Sequence, residues 1–159
     1  MPKLTLDRTD RRILEQLQAD GRLSNQELAE RVLLSPSPCL RRVRALERSG
    51  VIQRYAAMLD PLRVGLELLA YVSVKLEKRG KMPVDQFTRA VQSWPEVITC
   101  FSMTGDMDYL MRVQVEDLAH YSRFIMDKLL KQPGVIDIRS NFVLERVKET
   151  SALPLEHLA

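Results

Sequence analysis

The sequence predicts an α+β protein in which a small helical domain precedes a domain of mixed strands and helices. Apolar residues recur at helical spacing through most of the first fifty residues. Further along, they alternate with polar residues over several stretches, which is typical of half-buried strands. A segment with proline and glycine, residues 60–65, separates the two patterns. We therefore expect one domain at 1–59, a hinge at 60–67, and a second domain at 68–159 that ends in a C-terminal tail.

Capping residues delimit the first two predicted helices. Asp7 is placed to cap the first helix, and Gly21 lies just past its end. Ser24 and Glu27 form a capping-box pattern at the start of the second helix. These signals predict two short helices, each with one apolar face turned inward.

A third helix follows the second after a tight turn. Ser35 is placed to cap it, and Pro36 falls in its first turn, where a missing N–H is tolerated. Residues 50–59 then alternate weakly, as a two-stranded wing or a linking strand would. This order is that of a helix-turn-helix, so we expect a winged helix-turn-helix domain.

The third helix has one face rich in arginine. At about 100° per residue, this face carries Ser37, Arg41, Arg44 and Arg48, the opposite face carries Cys39, Leu40, Val43 and Leu46, and Arg42 lies between. Residues 1–60 contain 11 Lys and Arg against 8 Asp and Glu, whereas residues 61–159 contain 13 of each. The net charge of +3 therefore resides in the N-terminal third, which indicates an anionic partner such as DNA.

Strands and helices alternate after the hinge. The predicted elements are a strand over 70–76, a helix over 83–94, a strand over 97–104, a turn over 105–108, a strand over 109–115, a helix after Asp117 with Leu118, Tyr121, Ile125 and Leu129 inward, and a strand from 135 to about 148. The string at 94–98 recurs weakly at 132–136, each time between a helix and a strand. Two such βαβ halves predict a ferredoxin-like βαββαβ sheet with both helices on one face.

The other face of this sheet needs a cover, because exposed apolar side chains are unfavourable in water. Phe101, Met103, Tyr109 and Phe142 are expected to populate such faces. We therefore predict that two sheets pair in a homodimer or a larger assembly.

Bulk properties exclude several classes of protein. No apolar run approaches the roughly 20 residues that span a bilayer, and the N-terminus lacks the apolar stretch of a signal peptide. We therefore expect a cytoplasmic protein that does not bind membranes. Cys39 and Cys100 are too few for a disulfide or metal framework and are expected to be buried. With two histidines besides, we expect no metal site and no cofactor.

Several short strings occur in one characteristic order. They are Leu6-Asp7-Arg8-Thr9-Asp10, Gly21-Arg22-Leu23-Ser24, the residues from Leu34 to Val43, Leu46-Glu47 ahead of Gly50-Val51-Ile52, the residues from Thr104 to Leu110, and Pro133-Gly134-Val135. In these strings the chain resembles the leucine-responsive regulator/AsnC family (feast/famine regulators) over nearly all its length. The resemblance implies a transcription regulator that binds double-stranded DNA and senses an amino acid through its βαββαβ domain. It also implies homodimers that commonly assemble into octamers.

The predicted DNA-binding residues lie on and after the third helix: Ser35, Ser37, Pro38, Arg41, Arg42, Arg44, Arg48 and Arg54. The two serines, at a helix N-terminus, suit phosphate. Arg41 and Arg44 are expected to project toward base edges, where either would pair with guanine O6 and N7. The remaining arginines are expected to contact backbone phosphate. The competing interpretation is a solvated arginine face without a partner.

The predicted effector-binding residues are Thr104, Gly105, Asp106, Asp108, Tyr109 and Ser140. Asp106 or Asp108 offers a carboxylate for the ammonium group of an amino acid, and backbone amides of the turn suit its carboxylate. The resemblance places this turn at an interface between neighbouring dimers, facing the last strand near Ser140. We expect a small or apolar amino acid such as leucine or methionine. The alternative is that glycine and aspartate only form the turn.

Two residues depart from the family pattern. Leu33 occupies the turn before the third helix, where relatives often have Gly or Asn, and a left-handed conformation there would cost about 1 kcal/mol. Met107 stands where relatives often have an aromatic residue, which leaves the identity of the effector open.

Two other functions are alternatives. One is an architectural DNA-compacting protein without effector control. The other is an enzyme, since siroheme decarboxylases share this two-domain architecture. Such an enzyme would need cationic or histidine side chains in the sensor cleft, and neither His120 nor His157 is well placed for this role. We therefore expect no catalytic activity.

Overall fold

The computed structural model describes residues 5–77 and 82–158. They form two compact units. The first unit combines the residues up to Met58 with those from Lys148 onward, and the second spans Leu59–Val147. The C-terminal tail, which we expected to end the second domain, thus belongs to the first unit.

Side-chain contacts hold the tail on the first unit. The Gln18 side chain exchanges two hydrogen bonds with the backbone of Leu153: Nε2 donates to the carbonyl at 3.1 Å, and Oε1 accepts from the N–H at 2.6 Å. Leu155 and Leu158 pack against the apolar core of the unit. Sequence periodicity does not reveal this packing, because residues 148–158 form no helix or strand.

The first unit contains α1 (Arg8–Ala19), α2 (Asn25–Val32) and α3 (Pro36–Arg48). The Asp7 carboxylate accepts a hydrogen bond from the Asp10 N–H at 2.8 Å, and the Asp10 carboxylate accepts one from the Asp7 N–H at 3.2 Å. Ser24 and Glu27 make the equivalent exchange at the start of α2. These bonds satisfy N–H groups that a helix N-terminus leaves unpaired, so the caps predicted for α1 and α2 are confirmed.

The apolar side of α3 packs into a small core. The buried members of this core are Ile13, Leu14, Leu28, Ala29, Val32, Cys39 and Leu46. Cys39 is fully buried, as expected, and this burial raises the pKa of its thiol. The division of α3 into an apolar face and an arginine face is therefore confirmed.

The turn between α2 and α3 contains a left-handed residue. Leu33 has φ 59° and ψ 47°, and its side chain is 79% exposed. The Leu34 N–H donates to the Ala29 carbonyl at 2.9 Å, which closes the end of α2. Leu33 thus adopts the left-handed conformation that favours glycine or asparagine.

The strands expected over residues 50–59 do not form in this single chain. A hairpin requires turn residues between its strands, and residues 51–59 contain no Gly, Asn, Asp or Pro. Tyr55 instead donates a hydrogen bond to a Glu47 carboxylate oxygen at 3.0 Å. Burial and this carboxylate raise the pKa of Tyr55 to about 12.

The second unit has the predicted βαββαβ order. Its elements are β1 (Leu68–Leu76), α4 (Met82–Gln92), β2 (Val97–Ser102), β3 (Tyr109–Val115), α5 (Leu118–Arg123), which continues as a π-helix (Phe124–Leu129), and β4 (Val135–Phe142). The strands form one antiparallel sheet in the order β2-β3-β1-β4. A short 3₁₀ turn, Leu62–Val64, lies within the predicted hinge.

The core of the second unit lies between the sheet and its helices. β1 and β3 contribute alternate residues to it: Ala70, Val72, Val74, Leu76, Tyr109, Met111, Val113 and Val115. The ring of Trp94 packs edge-on against Phe87 and Phe124, with centroids 6.3 Å and 5.5 Å apart. This alternation is what the sequence predicted for the two central strands.

Several residues lie on other faces than expected. Tyr109 and Phe142 lie on the helix-covered face: their rings pack on Phe87 at 4.8 Å and on Tyr121 at 5.0 Å. Phe142 pairs with Ala70, so strand pairing fixes the face to which its side chain points. Leu118, expected inward, is 60% exposed. Of the four residues named for the open sheet face, Phe101, Met103 and Phe142 are exposed and Tyr109 is buried.

β4 ends earlier than predicted. Phe142 pairs with Ala70 and the Val143 N–H donates to the Leu69 carbonyl, which brings β4 to the beginning of β1 at Leu68. Beyond that point β1 offers no further partner, so the ladder stops although the sequence pattern continues toward residue 148.

Candidate DNA-binding surface and effector site

The N-terminus of α3 exposes Ser35 and Ser37. The side-chain cap predicted at Ser35 is wrong: the Ser35 side chain makes no capping hydrogen bond, so its hydroxyl remains available. Pro36 and Pro38 have no N–H, and the Cys39 N–H donates to the Ser35 carbonyl at 3.2 Å. Ser37 is therefore the residue of the first turn whose amide has no acceptor within the helix. The site offers one amide and two hydroxyl groups to an anion.

Three arginines project from the exposed face of α3. Arg41, Arg44 and Arg48 are exposed, and within residues 5–77 and 82–158 none of them forms an ion pair. At 1.5 Å per residue they span about 10 Å of helix, and an α-helix with its side chains, about 10–12 Å across, fits the roughly 12 Å width of a DNA major groove. The geometry therefore leaves these guanidinium groups free for base edges and phosphates.

Arg42 differs from its neighbours on α3. Its Nη1 lies 2.8 Å from Asp7 Oδ2 and 2.8 Å from Asp10 Oδ1. We expected this side chain to contact phosphate, but in the structure two carboxylates of the first helix hold it. Sequence reasoning did not find this pairing, because the partners lie more than 30 residues apart, whereas helical spacing relates residues three or four positions apart.

Arg54 lies in the segment that forms no paired strand, and its side chain is exposed. The structure does not bring Arg54 onto the helical face shared by Arg41, Arg44 and Arg48, because it belongs to a different segment of the unit.

Hydrogen bonds brace the predicted effector turn. Gly105 has φ 113°, a conformation that L side chains rarely adopt. The Asp108 carboxylate accepts a hydrogen bond from the Leu76 N–H at 2.8 Å, and the Asp108 N–H donates to the Val74 carbonyl at 3.0 Å. Asp108 therefore ties the turn to β1. Thr104 and Asp106 are exposed, so Asp106 is the carboxylate of the turn that faces solvent.

A cleft of about 330 Å³ lies beside this turn. Its lining residues are Leu76, Glu77, Val84, Ser102, Met103, Asp108 and Tyr109. The volume falls in the range of small-molecule sites. Of the predicted effector residues, Asp108 and Tyr109 line it. Burial raises the pKa of Tyr109, so its hydroxyl stays protonated at neutral pH.

Ser140 is not part of this cleft. It lies on β4 opposite Val72, two strand spacings, or roughly 10 Å, from the strand that carries Tyr109. The Tyr121 hydroxyl donates a hydrogen bond to Ser140 Oγ, which joins α5 to β4. Within one chain the structure therefore does not bring the turn and Ser140 together.

Sequence reasoning also missed a buried acid in the second unit. Glu96 is 9% exposed, its Oε1 lies 2.7 Å from Lys128 Nζ, and the same oxygen lies 3.6 Å from His120 Nε2. His120 thus lies beside Glu96 and does not line the cleft, and His157 lies in the tail. No local pattern indicates this group, because its members come from a loop and a helix.

The described residues give no sign of a metal centre. Among them, no three His, Cys, Asp or Glu side chains lie close enough together to hold an ion. No helix in this part of the chain has the length and apolar character required to cross a bilayer.

Comparison with protein families gives two matches. The family model described as the Lrp/AsnC ligand-binding domain matches residues 69–153. The model described as a winged helix-turn-helix DNA-binding domain matches residues 6–53. The leucine-responsive regulatory proteins of Salmonella typhimurium and Escherichia coli K12 are each 44% identical over 155 residues, which cover 98% of this chain and 94% of each relative.

Solved structures of similar proteins agree with this assignment. A transcriptional regulator from Neisseria meningitidis, determined in complex with L-methionine, is 48% identical and has a TM-score of 0.95, with 98% of this chain and 100% of that chain covered. An AsnC family regulator from Agrobacterium tumefaciens is 38% identical with a TM-score of 0.91, covering 97% and 100%. The chain therefore belongs to the Lrp/AsnC family of transcriptional regulators, with a DNA-binding winged helix-turn-helix followed by an amino-acid-binding domain.

Proposed function

We propose that α3 reads DNA sequence through Arg41 and Arg44, and that a small amino acid bound beside the turn at 104–108 modulates assembly and DNA binding. The observation that carries the DNA part is the exposed face with Arg41, Arg44 and Arg48, three guanidinium groups without carboxylate partners among the described residues. Guanidinium groups pair bidentately with guanine O6 and N7, and each such pair contributes roughly 1–3 kcal/mol of discrimination.

The test uses a duplex selected in vitro by the wild-type protein and a random duplex of equal length. Arg41→Ala is expected to weaken binding to the selected duplex by about tenfold or more, with a smaller effect on the random duplex. Arg89→Ala is the matched control, since Arg89 is also exposed but lies on α4 of the second unit. Equal losses on both duplexes would refute base reading by Arg41. A selection that returned no preferred sequence would favour the architectural alternative.

For the effector, we propose an apolar amino acid such as methionine or leucine. The relative from Neisseria meningitidis was solved with L-methionine, which supports this class of ligand. Asp106 is the exposed carboxylate of the turn beside the cleft and suits the ammonium group, whereas Asp108 lines the cleft and accepts the Leu76 N–H through Oδ2. The apolar lining residues Leu76, Val84 and Met103 of the cleft suit an aliphatic side chain.

Isothermal titration against the twenty amino acids tests this proposal. Methionine or leucine is expected to release heat, and Asp106→Asn is expected to weaken its binding by at least tenfold, because the ammonium loses a charged partner. Asp127→Asn is the control, since Asp127 is exposed on the π-helical part of α5. No heat with any amino acid would refute a sensing role for this cleft.

We further propose that the chain forms homodimers that assemble into octamers, with the ligand at the contact between dimers. A ligand in that position changes assembly only through different affinities for the assembled states. A change in assembly alters how many helix-turn-helix pairs engage one DNA molecule, and hence the avidity. Sedimentation velocity with and without methionine measures this directly. Identical distributions in both conditions would refute coupling between ligand and assembly.

A further inference from the structure

Arg42 is the arginine of α3 that the proposed DNA surface does not use. Its Nη1 donates hydrogen bonds to Asp7 Oδ2 and Asp10 Oδ1, each at 2.8 Å. These two aspartates also cap α1, because each accepts a hydrogen bond from the backbone N–H of the other. One guanidinium therefore joins the middle of α3 to the N-terminus of α1.

Of the three side chains in this pairing, that of Asp10 is the most buried. The Asp10 side chain is 14% exposed and that of Arg42 is 35% exposed, whereas that of Asp7 is 51% exposed. Asp7 has a pKa below its ordinary value, mainly because its carboxylate accepts the Asp10 N–H, and Arg42 lowers it further. The Asp7 carboxylate therefore stays charged at neutral pH and remains an anionic partner of Arg42.

The two carboxylates engage Nη1 of Arg42, so a phosphate contact that kept this pairing would have to use Nε or Nη2, close to two negative charges. The same aspartates would also repel a phosphate brought near them, since like charges at close range disfavour each other. Arg41 and Arg44 lie within two residues of Arg42 on α3. The contact of Arg42 with α1 therefore helps to set the position of the helix segment that carries these two guanidinium groups.

We propose that Arg42 is a positioning residue for DNA reading: it ties α3 to the capping box of α1 and thereby holds Arg41 and Arg44 in register with base edges. Arg42 itself does not contact DNA phosphate. Because bidentate base contacts tolerate errors of only about half an ångström, a loosened helix loses base-specific hydrogen bonds before it loses general attraction to phosphate. This inference rests on the proposed reading of DNA by α3.

The test compares three variants of the full-length protein: Arg42→Ala, Asp7→Asn and Arg48→Ala. For each, affinity is measured for the selected and the random duplex over a range of salt concentrations. Asparagine caps helices as well as aspartate does, so Asp7→Asn keeps α1 capped while removing one of the two charges that hold Arg42. Circular dichroism of each variant confirms that it is folded.

Arg42→Ala and Asp7→Asn are both expected to lower affinity for the selected duplex by about tenfold relative to the random duplex. Arg42→Ala should leave the slope of log affinity against log salt unchanged. Arg48→Ala, predicted to remove an interaction with phosphate, should reduce the magnitude of that slope by about 0.9 for each phosphate that the side chain neutralises in the wild-type complex.

The opposite pattern would overturn the proposal. If Arg42 bound phosphate, its removal would reduce the salt slope, and Asp7→Asn, which leaves the guanidinium with Asp10 as its one carboxylate partner among the described residues, would raise affinity for both duplexes. An unchanged ratio between the two duplexes in Arg42→Ala would also overturn it. Failure of the wild-type protein to prefer any duplex would refute base reading by α3 instead, so the two failures are distinguishable.

Discussion

The left-handed residue in the turn before α3 allows a direct test of backbone strain. Leu33 has φ 59° and ψ 47°, and a Cβ in this conformation costs roughly 1–2 kcal/mol. Glycine removes that cost, but it increases the conformational freedom of the unfolded chain, which offsets roughly 0.4–1 kcal/mol. Little apolar burial is lost, because the side chain is 79% exposed. Leu33→Gly should therefore raise the free energy of unfolding of the first unit by about 0.5–1 kcal/mol.

Leu33→Ala is the matched control. It removes the same exposed atoms beyond Cβ but keeps the strain, so it should not exceed wild type in stability. The single tryptophan, Trp94, lies in the second unit and does not report on this one. Native-state hydrogen exchange of the α3 amides measures the stability of the first unit. Protection of these amides from exchange should rise by roughly two- to fivefold in Leu33→Gly. Protection equal to or below that of Leu33→Ala would refute the strain argument.

Two further predictions concern the second unit, where Trp94 fluorescence during urea unfolding reports stability. Gly134→Ala should destabilise it by roughly 2–4 kcal/mol, because Gly134 has φ 83° and a Cβ there would lie 2.6 Å from Pro83 Cβ. Gly65→Ala is the control for the clash, because Gly65 has φ 81° and no heavy atom lies within 4 Å of a Cβ added there. This variant should lose about 1–2 kcal/mol from backbone strain alone. Equal losses of stability in Gly65→Ala and Gly134→Ala would contradict a clash with Pro83. Glu96→Gln should cost roughly 1–3 kcal/mol, because Lys128 Nζ, 2.7 Å from the carboxylate, loses its charged partner. Burial raises the pKa of Glu96, but Lys128 and further hydrogen bonds outweigh it, so the pKa lies below its ordinary value. The stability that ionised Glu96 contributes is therefore complete above about pH 4.5 and is lost as the pH falls through the lowered pKa of Glu96. An acid-unfolding transition that is the same in Glu96→Gln and wild type would refute this contribution.

Local signals predicted the helices and the caps of α1 and α2. Asp7, Ser24 and Glu27 cap their helices as expected, because capping depends on residues three positions apart. The arginine face of α3 follows from the helical period alone, and Arg41 and Arg44 lie on it. The alternating strands around Val72 and Val113 were likewise predictable, since each strand buries every second residue.

Contacts between segments that are distant in sequence could not be predicted from local patterns. Arg42 resembles its neighbours in sequence, but its environment depends on how α3 packs against α1. Phe142 faces the helices because β4 pairs with β1 in one register, and a shift by one residue would reverse its face. The same holds for the effector site: the turn was predictable, whereas the separation of Ser140 from it follows from the strand order.

By itself, the sequence determined the helices of the DNA-binding unit, the caps of α1 and α2, the arginine face and the βαββαβ order of the second unit. Each of these depends on periods and spacings of a few residues, which the chain encodes locally. The tertiary structure alone decided that the tail packs on α1, that Arg42 binds two aspartates, and that Asp108 is committed to β1 while Asp106 is not. These outcomes depend on which distant groups come together, and burial and pairing free energies that act across the whole fold select those arrangements.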